Sequence, residues 1–222
     1  MSDSTNIAVL ISQLSAPSAD EQQAAVDTLA TIGEPAIDSL IDAVNDGDSV
    51  TCANAIDALG MIGSPSACGT LIIALQDSDP TVIVAAMTAL RRIGDPLAVQ
   101  PLINFLSTDD ITLHFNATHA LSQIKRPETV ETLLRELDNP DSNVRHGCIV
   151  ALGRLGDRRA IQPLLRHLHD SEDKIRYSAA YALGDLADHG DTTVIDALRS
   201  LLDDEESHVR DSVQQALDKL LT

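Results

Sequence analysis

The chain has 222 residues, of which 44% are apolar and only 2% aromatic, and its net charge is −19. Such a charge excludes sequence-independent binding to a nucleic-acid backbone or an anionic membrane, both of which need a basic surface, so any partner is expected to be neutral or basic. No apolar run approaches the roughly 20 residues that span a bilayer, which excludes membrane insertion.

The start, MSDSTNIAVL, lacks the basic region and long apolar run of a signal peptide. Cys52, Cys68 and Cys148 show no CxxC spacing and leave one thiol over in any disulfide scheme. A reduced, cytoplasmic protein is expected, in which the sequon at Asn116 lies inside a helix and carries no glycan.

One pattern recurs along the chain: Leu, preceded by Ala in all but the first copy, then an apolar residue three positions on, then usually Gly. Its leucines are Leu29, Leu59, Leu90, Leu121, Leu152, Leu183 and Leu217, spaced 30 or 31 residues apart except for a last interval of 34. A fixed period of this length predicts a solenoid of seven helix pairs, each burying its apolar face on its neighbours. The copies fall at about 4–33, 36–63, 67–94, 98–125, 128–156, 159–187 and 192–221 of a single domain, 1–222.

In chain order, first helices are expected over Asn6–Leu14, Ala36–Val44, Ala67–Leu75, Ala98–Leu106, Glu128–Leu137, Ala160–Leu168 and Thr193–Leu202. Second helices are expected over Glu21–Ile32, Val50–Ile62, Thr81–Ile93, Ile111–Ile124, Val144–Leu155, Ile175–Leu186 and Val209–Leu220. In DSNVRHGCIVALGRLG, residues 141–156, a little under half the circumference of the helix is apolar: Val144, Gly147, Cys148, Ala151, Leu152 and Leu155. Gly33, Gly63, Gly94 and Gly156 stand where a helix ends in a left-handed residue. Pro35, Pro65, Pro96 and Pro127 follow, where a proline stops one helix and suits the start of the next.

Aspartates outnumber glutamates 26 to 8, and lysines number only 3 against 12 arginines, a skew compatible with a saline habitat. About half of the aspartates have a local reason. Asp46, Asp48, Asp77, Asp79, Asp109, Asp110, Asp170 and Asp173 cluster in the turns before second helices, where they can cap free amides and favour the positive dipole end.

The runs VRHGCIVALGRLGDRRAIQPLLRHL and IRYSAAYALGDLA resemble HEAT repeats of the short kind named after phycobilisome lyases. The resemblance covers nearly the whole chain and implies an all-α solenoid wound as a right-handed superhelix, with its concave surface lined by the second helices. Copies one to four depart from the pattern, since Gln22, Cys52, Ile83 and His114 stand where Arg145, Arg176 and Arg210 stand later. Those arginines are expected to pair with aspartates of neighbouring turns as a structural ladder. Arg91, Arg92 and Arg154 are better placed to meet an anionic group.

Counted from each repeat leucine, the outward positions are six, three and two before it and one after it. In copies two to six they form an apolar and aromatic strip, whereas the seventh copy reads Asp211, Gln214, Gln215 and Asp218, as an end cap should. Contiguous exposed apolar surface usually marks a binding site. The candidate partner-binding residues are Ile56, Val84, Met87, Arg91, Phe115, His119, His146, Ile149, Val150, Arg154, Tyr177 and Tyr181. Phe115, His146 and Tyr177 share one repeat position and are expected to form successive rungs, with Tyr181 one turn on from Tyr177. Truncating Tyr177 or Phe115 is expected to weaken binding and leave the melting temperature unchanged.

No metal or catalytic constellation is expected: His114 and His119 diverge on a helix, His167 and His169 lie on opposite sides of a helix end, and no P-loop or Ser-His-Asp order appears. The His-Glu pairs of the metal-binding HEAT hydroxylases are also absent. Cys68 and Cys148 read as packing residues and Cys52 as a flank thiol. The expected function is a non-catalytic scaffold that grips a protein partner and holds no cofactor. The resemblance implies an alternative: a bilin lyase subunit or phycobilisome assembly or degradation factor, binding a phycocyanobilin-type bilin and a phycobiliprotein, with a second HEAT-repeat chain as a further partner.

Overall fold

The computed structural model describes residues 2–222, which are 78% helical and contain no strand. The helices are α1 (Ser2–Gln13), α2 (Ala19–Ile32), α3 (Ile37–Asp46), α4 (Ser49–Ile62), α5 (Cys68–Ala74), α6 (Pro80–Ile93) and α7 (Val99–Ile103). They continue with α8 (Ile111–Leu121), α9 (Pro127–Arg135), α10 (Ser142–Leu155), α11 (Ile161–His167), α12 (Asp173–Leu186), α13 (Thr192–Arg199) and α14 (Ser207–Leu221). Odd-numbered helices are the first members of the pairs and even-numbered ones the second. The chain divides into two compact units, residues 1–101 and 102–222.

In the first unit, α2, α4 and α6 pack side by side, with α1, α3 and α5 against them. Gly63 and Gly94 end α4 and α6 in the left-handed conformation. Gly33 also has positive φ, at 75°, but its ψ of −138° lies outside that region, a departure from the expected cap. Pro35, Pro65 and Pro96 sit in short 3₁₀ turns that lead into the next first helix.

In the second unit, α10 packs between α8 and α12, and α12 between α10 and α14, while α9, α11 and α13 back them. The seam between second helices is unusually close. A methyl at Gly153 would lie 2.9 Å from the Ala182 side chain, and one at Gly184 only 2.7 Å from that of Ala216. The expected helix over Ala98–Leu106 is broken: α7 is short and passes into a 3₁₀ turn, Asn104–Ser107. The next helix, α8, stops at Leu121 rather than Ile124, because copy four has no left-handed glycine there and turns at Ser122 and Gln123.

The aspartates of the turns do cap. Asp48, Asp79, Asp110 and Asp141 each accept a hydrogen bond from an amide in the first turn of the following helix, at 2.8 or 2.9 Å. Asp170 and Asp204 instead accept from the amides of Glu172 and Glu206, the residues just before α12 and α14.

Candidate functional site

Arg145 and Arg176 form the expected structural ladder with aspartates of the following turns, whereas Arg210 meets only backbone carbonyls. Arg145 donates to the carbonyls of Asn139 and Pro140 in its own turn and to the Asp170 carboxylate of the next, at 3.1 Å. Arg176 repeats this with the carbonyls of Asp170 and Ser171, and with both oxygens of Asp204 at 2.8 and 2.9 Å. Arg210 donates to the carbonyls of Asp204 and Glu205. The hydrogen bond from Arg176 holds the Asp204 carboxyl below its ordinary range. In the first unit Gln22, at the same repeat position, reaches the carbonyl six residues back, Ala16. Arg92 is not free for an anion, since it pairs with Asp57.

Three of the candidate surface residues are interior. Ile56 and Ile149 are 0% exposed and Met87 only 1%. The position three before the repeat leucine therefore belongs to the core, as Ala180 shows again in copy six. In the second unit the cause is visible: α10 and α12 are each flanked by second helices on both sides, so the buried arc is wider than the half-circumference an amphipathic helix on a surface would need. Only in copy seven is that position, Gln214, exposed. Gly153 and Gly184, one residue after the leucine, lie in the same seam. Val84 and Arg91, in the first unit, are half-buried.

The remaining candidates lie in the second unit, where an aromatic ladder does form, along a different line from the one expected. His114 stacks on His146 at 6.1 Å, His146 meets Tyr177 at 6.2 Å, and Tyr177 meets the edge of His208 at 6.0 Å. Phe115 is not a rung: it is 58% exposed and stacks on His119 of its own helix at 6.3 Å. His146 Nδ1 lies 2.8 Å from Ser178 Oγ, which itself donates to the Lys174 carbonyl, so the imidazole N–H donates to the serine. Burial, with the nearby charges of His114 and Lys174, lowers the His146 pKa to about 4 and keeps the ring neutral.

Beside this ladder, α10, α12 and α14 enclose a cleft of about 500 Å³, lined by Val150, Gly153 and Arg154, by Tyr177 and Tyr181, and by Asp211. Four of the residues singled out from sequence thus come together. Sequence reasoning missed the cleft's charge arrangement. Asp185 accepts a hydrogen bond from Lys219 at 2.6 Å, and the same ammonium lies 4.7 Å over the Tyr181 ring. A usable signal was present, because Arg154, Asp185 and Lys219 share the position two after the repeat leucine. His208 Nε2 sits 2.9 Å from Asp173 Oδ2, and with Glu206 these two place three metal-type donor atoms within 4.8 Å of one another. Nε2 is already engaged by Asp173, and all three side chains are about half exposed.

Cys52, Cys68 and Cys148 are all buried. Burial raises each thiol pKa, that of Cys68 to about 11, so none is a ready nucleophile. This corrects the placement of Cys52 on an outer flank.

Matching by family places the chain. The description of HEAT repeats fits residues 7–73, 69–135 and 100–184. The chain belongs to the HEAT-repeat family. The PBS lyase HEAT-like repeat fits residues 175–204, the stretch that carries both tyrosines of the cleft. No curated protein sequence matches the chain significantly. Among solved structures, importin beta aligns with a TM-score of 0.66 and 16% identity over 96% of this HEAT-repeat chain and 35% of its own, which establishes the all-α solenoid fold. The complex of CpcE and CpcF of phycocyanin lyase from Nostoc sp. PCC7120 aligns at 0.49, with 22% identity over 97% of this chain and 94% of that one. Human deoxyhypusine hydroxylase aligns at 0.43, with 22% identity, 97% and 96%.

Proposed function

We propose that this HEAT-repeat protein is a non-catalytic scaffold that binds a protein partner in the cleft between α10, α12 and α14. The observation that carries the proposal is the cleft itself, a trough with two accessible tyrosines on an otherwise nearly aromatic-free chain. Tyrosine supplies large contact area at small entropic cost and is a favoured anchor of binding surfaces. The net charge of −19 favours a neutral or basic partner. Among the twelve candidates, the proposal centres on Val150, Arg154, Tyr177 and Tyr181; the exposed Phe115 and the half-buried His119 form a separate pair outside the cleft. The test is chemical cross-linking from a photoreactive group placed at Gln215, followed by the same experiment with Tyr181→Ala. Specific cross-links that disappear in the variant are expected; cross-links indifferent to it would remove the cleft from the function.

A second reading rests on the match of residues 175–204 to the PBS lyase HEAT-like repeat. In it the cleft receives an open-chain tetrapyrrole, and a phycobiliprotein or second HEAT-repeat chain completes the complex. Mixing the protein with phycocyanobilin decides: a shifted, sharpened long-wavelength band that is lost in Tyr177→Ala supports a bilin site, and an unchanged spectrum leaves the scaffold reading alone.

A further inference from the structure

The charges around the cleft are unequal in one respect: some are spent and two are not. Asp185 is neutralised by Lys219, and His208 is engaged by Asp173. Arg154 of α10 and Asp211 of α14 are exposed, and neither has an ion-pair partner among the described residues. They stand at diagonal corners. Arg154 is two residues after its repeat leucine and Asp211 six before its own, a difference of eight positions, or roughly 12 Å along parallel helices. Two helix spacings of about 8–10 Å separate them in the other direction. The diagonal is thus on the order of 20 Å, with Val150, Tyr177 and Tyr181 between its ends.

The cleft also constrains the occupant's backbone. Its walls are helices whose backbone groups bond within the helix, and the two serine hydroxyls that line it donate inward, Ser178 to the Lys174 carbonyl and Ser212 to that of Tyr177, so no backbone edge faces the occupant. An extended peptide pressed onto these helices would leave many of its own amides and carbonyls without partners, at a cost for each. A helix satisfies its backbone internally and presents only side chains, and about 13 residues of helix span roughly 20 Å.

Building on the proposed scaffold role, we infer that the occupant is an amphipathic helix of a partner protein. The face it presents carries a carboxylate at one end, for Arg154, and a lysine or arginine at the other, for Asp211, with aliphatic side chains between them on the tyrosines. Guanidinium–carboxylate pairing at the ends sets the direction of the helix, and the apolar middle supplies most of the affinity.

The test uses the full chain against a displayed library of 14-residue helical peptides in which the exposed positions are varied. Selected peptides are expected to carry an acidic residue near one terminus and a basic residue near the other, always in the same order. Selection against the double variant Arg154→Asp, Asp211→Arg is expected to reverse that order. Peptides that bind and lose affinity at least tenfold with Tyr181→Ala, yet show no charge order or keep the same order with the double variant, overturn this inference and leave the cleft as a binding site. Peptides indifferent to Tyr181→Ala, or no enrichment at all from a correctly folded chain, overturn both.

Discussion

Tyr177 and Tyr181 stand one helical turn apart on α12, yet they are held by different neighbours, and truncating them has different consequences. The Tyr177 ring is a rung between His146 and His208, and such aromatic contacts contribute about 0.5–1.5 kcal/mol each. Tyr181 is 48% exposed and touches Lys219. Tyr181→Ala is therefore expected to weaken partner binding at least roughly tenfold with a melting temperature within a degree or two of the parent. Tyr177→Ala is expected to weaken binding similarly and also to lower the melting temperature by several degrees, against the expectation from sequence that truncating Tyr177 leaves the melting temperature unchanged. Titration of binding alongside thermal unfolding separates the two. Gln214→Ala should change neither.

His146 gives the same ladder a pH dependence. Its folded pKa of about 4 lies below the ordinary 6.5, so at intermediate pH the unfolded chain takes up a proton that the folded chain refuses. The stability contributed by the neutral ring is complete above about pH 6.5, declines as the pH falls, and is gone below about 4. The carboxylates of Asp170 and Asp204, held below their ordinary range, lose their contribution only at pH values below that window. His146→Gln keeps a donor for Ser178 and removes the titration. Denaturant midpoints measured from pH 7 to 4.5 should fall more steeply for the parent than for this variant.

At the scale of the helices, glycines of the same type serve opposite ends. Gly184 sits where a methyl would lie 2.7 Å from the Ala216 side chain and 2.8 Å from its backbone, so Gly184→Ala must push α14 away and is expected to cost about 1–3 kcal/mol. Gly69, in α5, has nothing within 4 Å and an ordinary helical conformation. Gly69→Ala is expected to stabilise by about 0.5–1 kcal/mol through the entropy of the unfolded chain. Denaturant unfolding of the pair checks the sign as well as the size.

The helix pairs were legible because each is written locally: a capping aspartate, an apolar period near 3.6, a glycine or proline at the stop. The buried arc was only half legible. Ile56, Met87 and Ile149 looked outward on a helix considered alone, and it takes flanking second helices to bury them. The ladder was misread by one residue, since ring contact follows side-chain reach across neighbouring helices and not strict repeat register. Hence His114, seven before its leucine, and His208, nine before its own, meet rings that stand six before theirs. The ion pair of Asp185 and Lys219 was missed because 34 residues separate them in the chain, although their shared repeat position places them on neighbouring helices.

At the scale of the whole molecule, a repeat protein is stabilised as a sum of units and of the interfaces between them, and each interior copy needs a neighbour on both sides. The last pair, α13 and α14, supplies that neighbour for copy six. The buried face of α14 holds Val209, Val213, Ala216 and Leu220, all at most 2% exposed, whereas Asp211, Gln214, Gln215 and Asp218 are turned to solvent. Deleting residues from Asp191 onward removes this cap. It uncovers Ala180 and Gly184 in the seam, takes Asp204 from Arg176, and opens the end of the cleft. Arg176, uncovered at the same time, keeps its hydrogen bonds to the Asp170 and Ser171 carbonyls but loses the two it makes to Asp204. The truncated chain is expected to keep most of its helical circular dichroism in the remaining copies but to melt at lower temperature and to self-associate through the uncovered side of copy six, as seen by light scattering. Substituting Ala180→Lys and Gly184→Glu in the truncated chain, which gives the uncovered face the polarity that copy seven has, should restore a monomer without restoring binding in the cleft. A truncated chain that stays monomeric and melts like the parent would show that the seventh copy is an appendage rather than a cap.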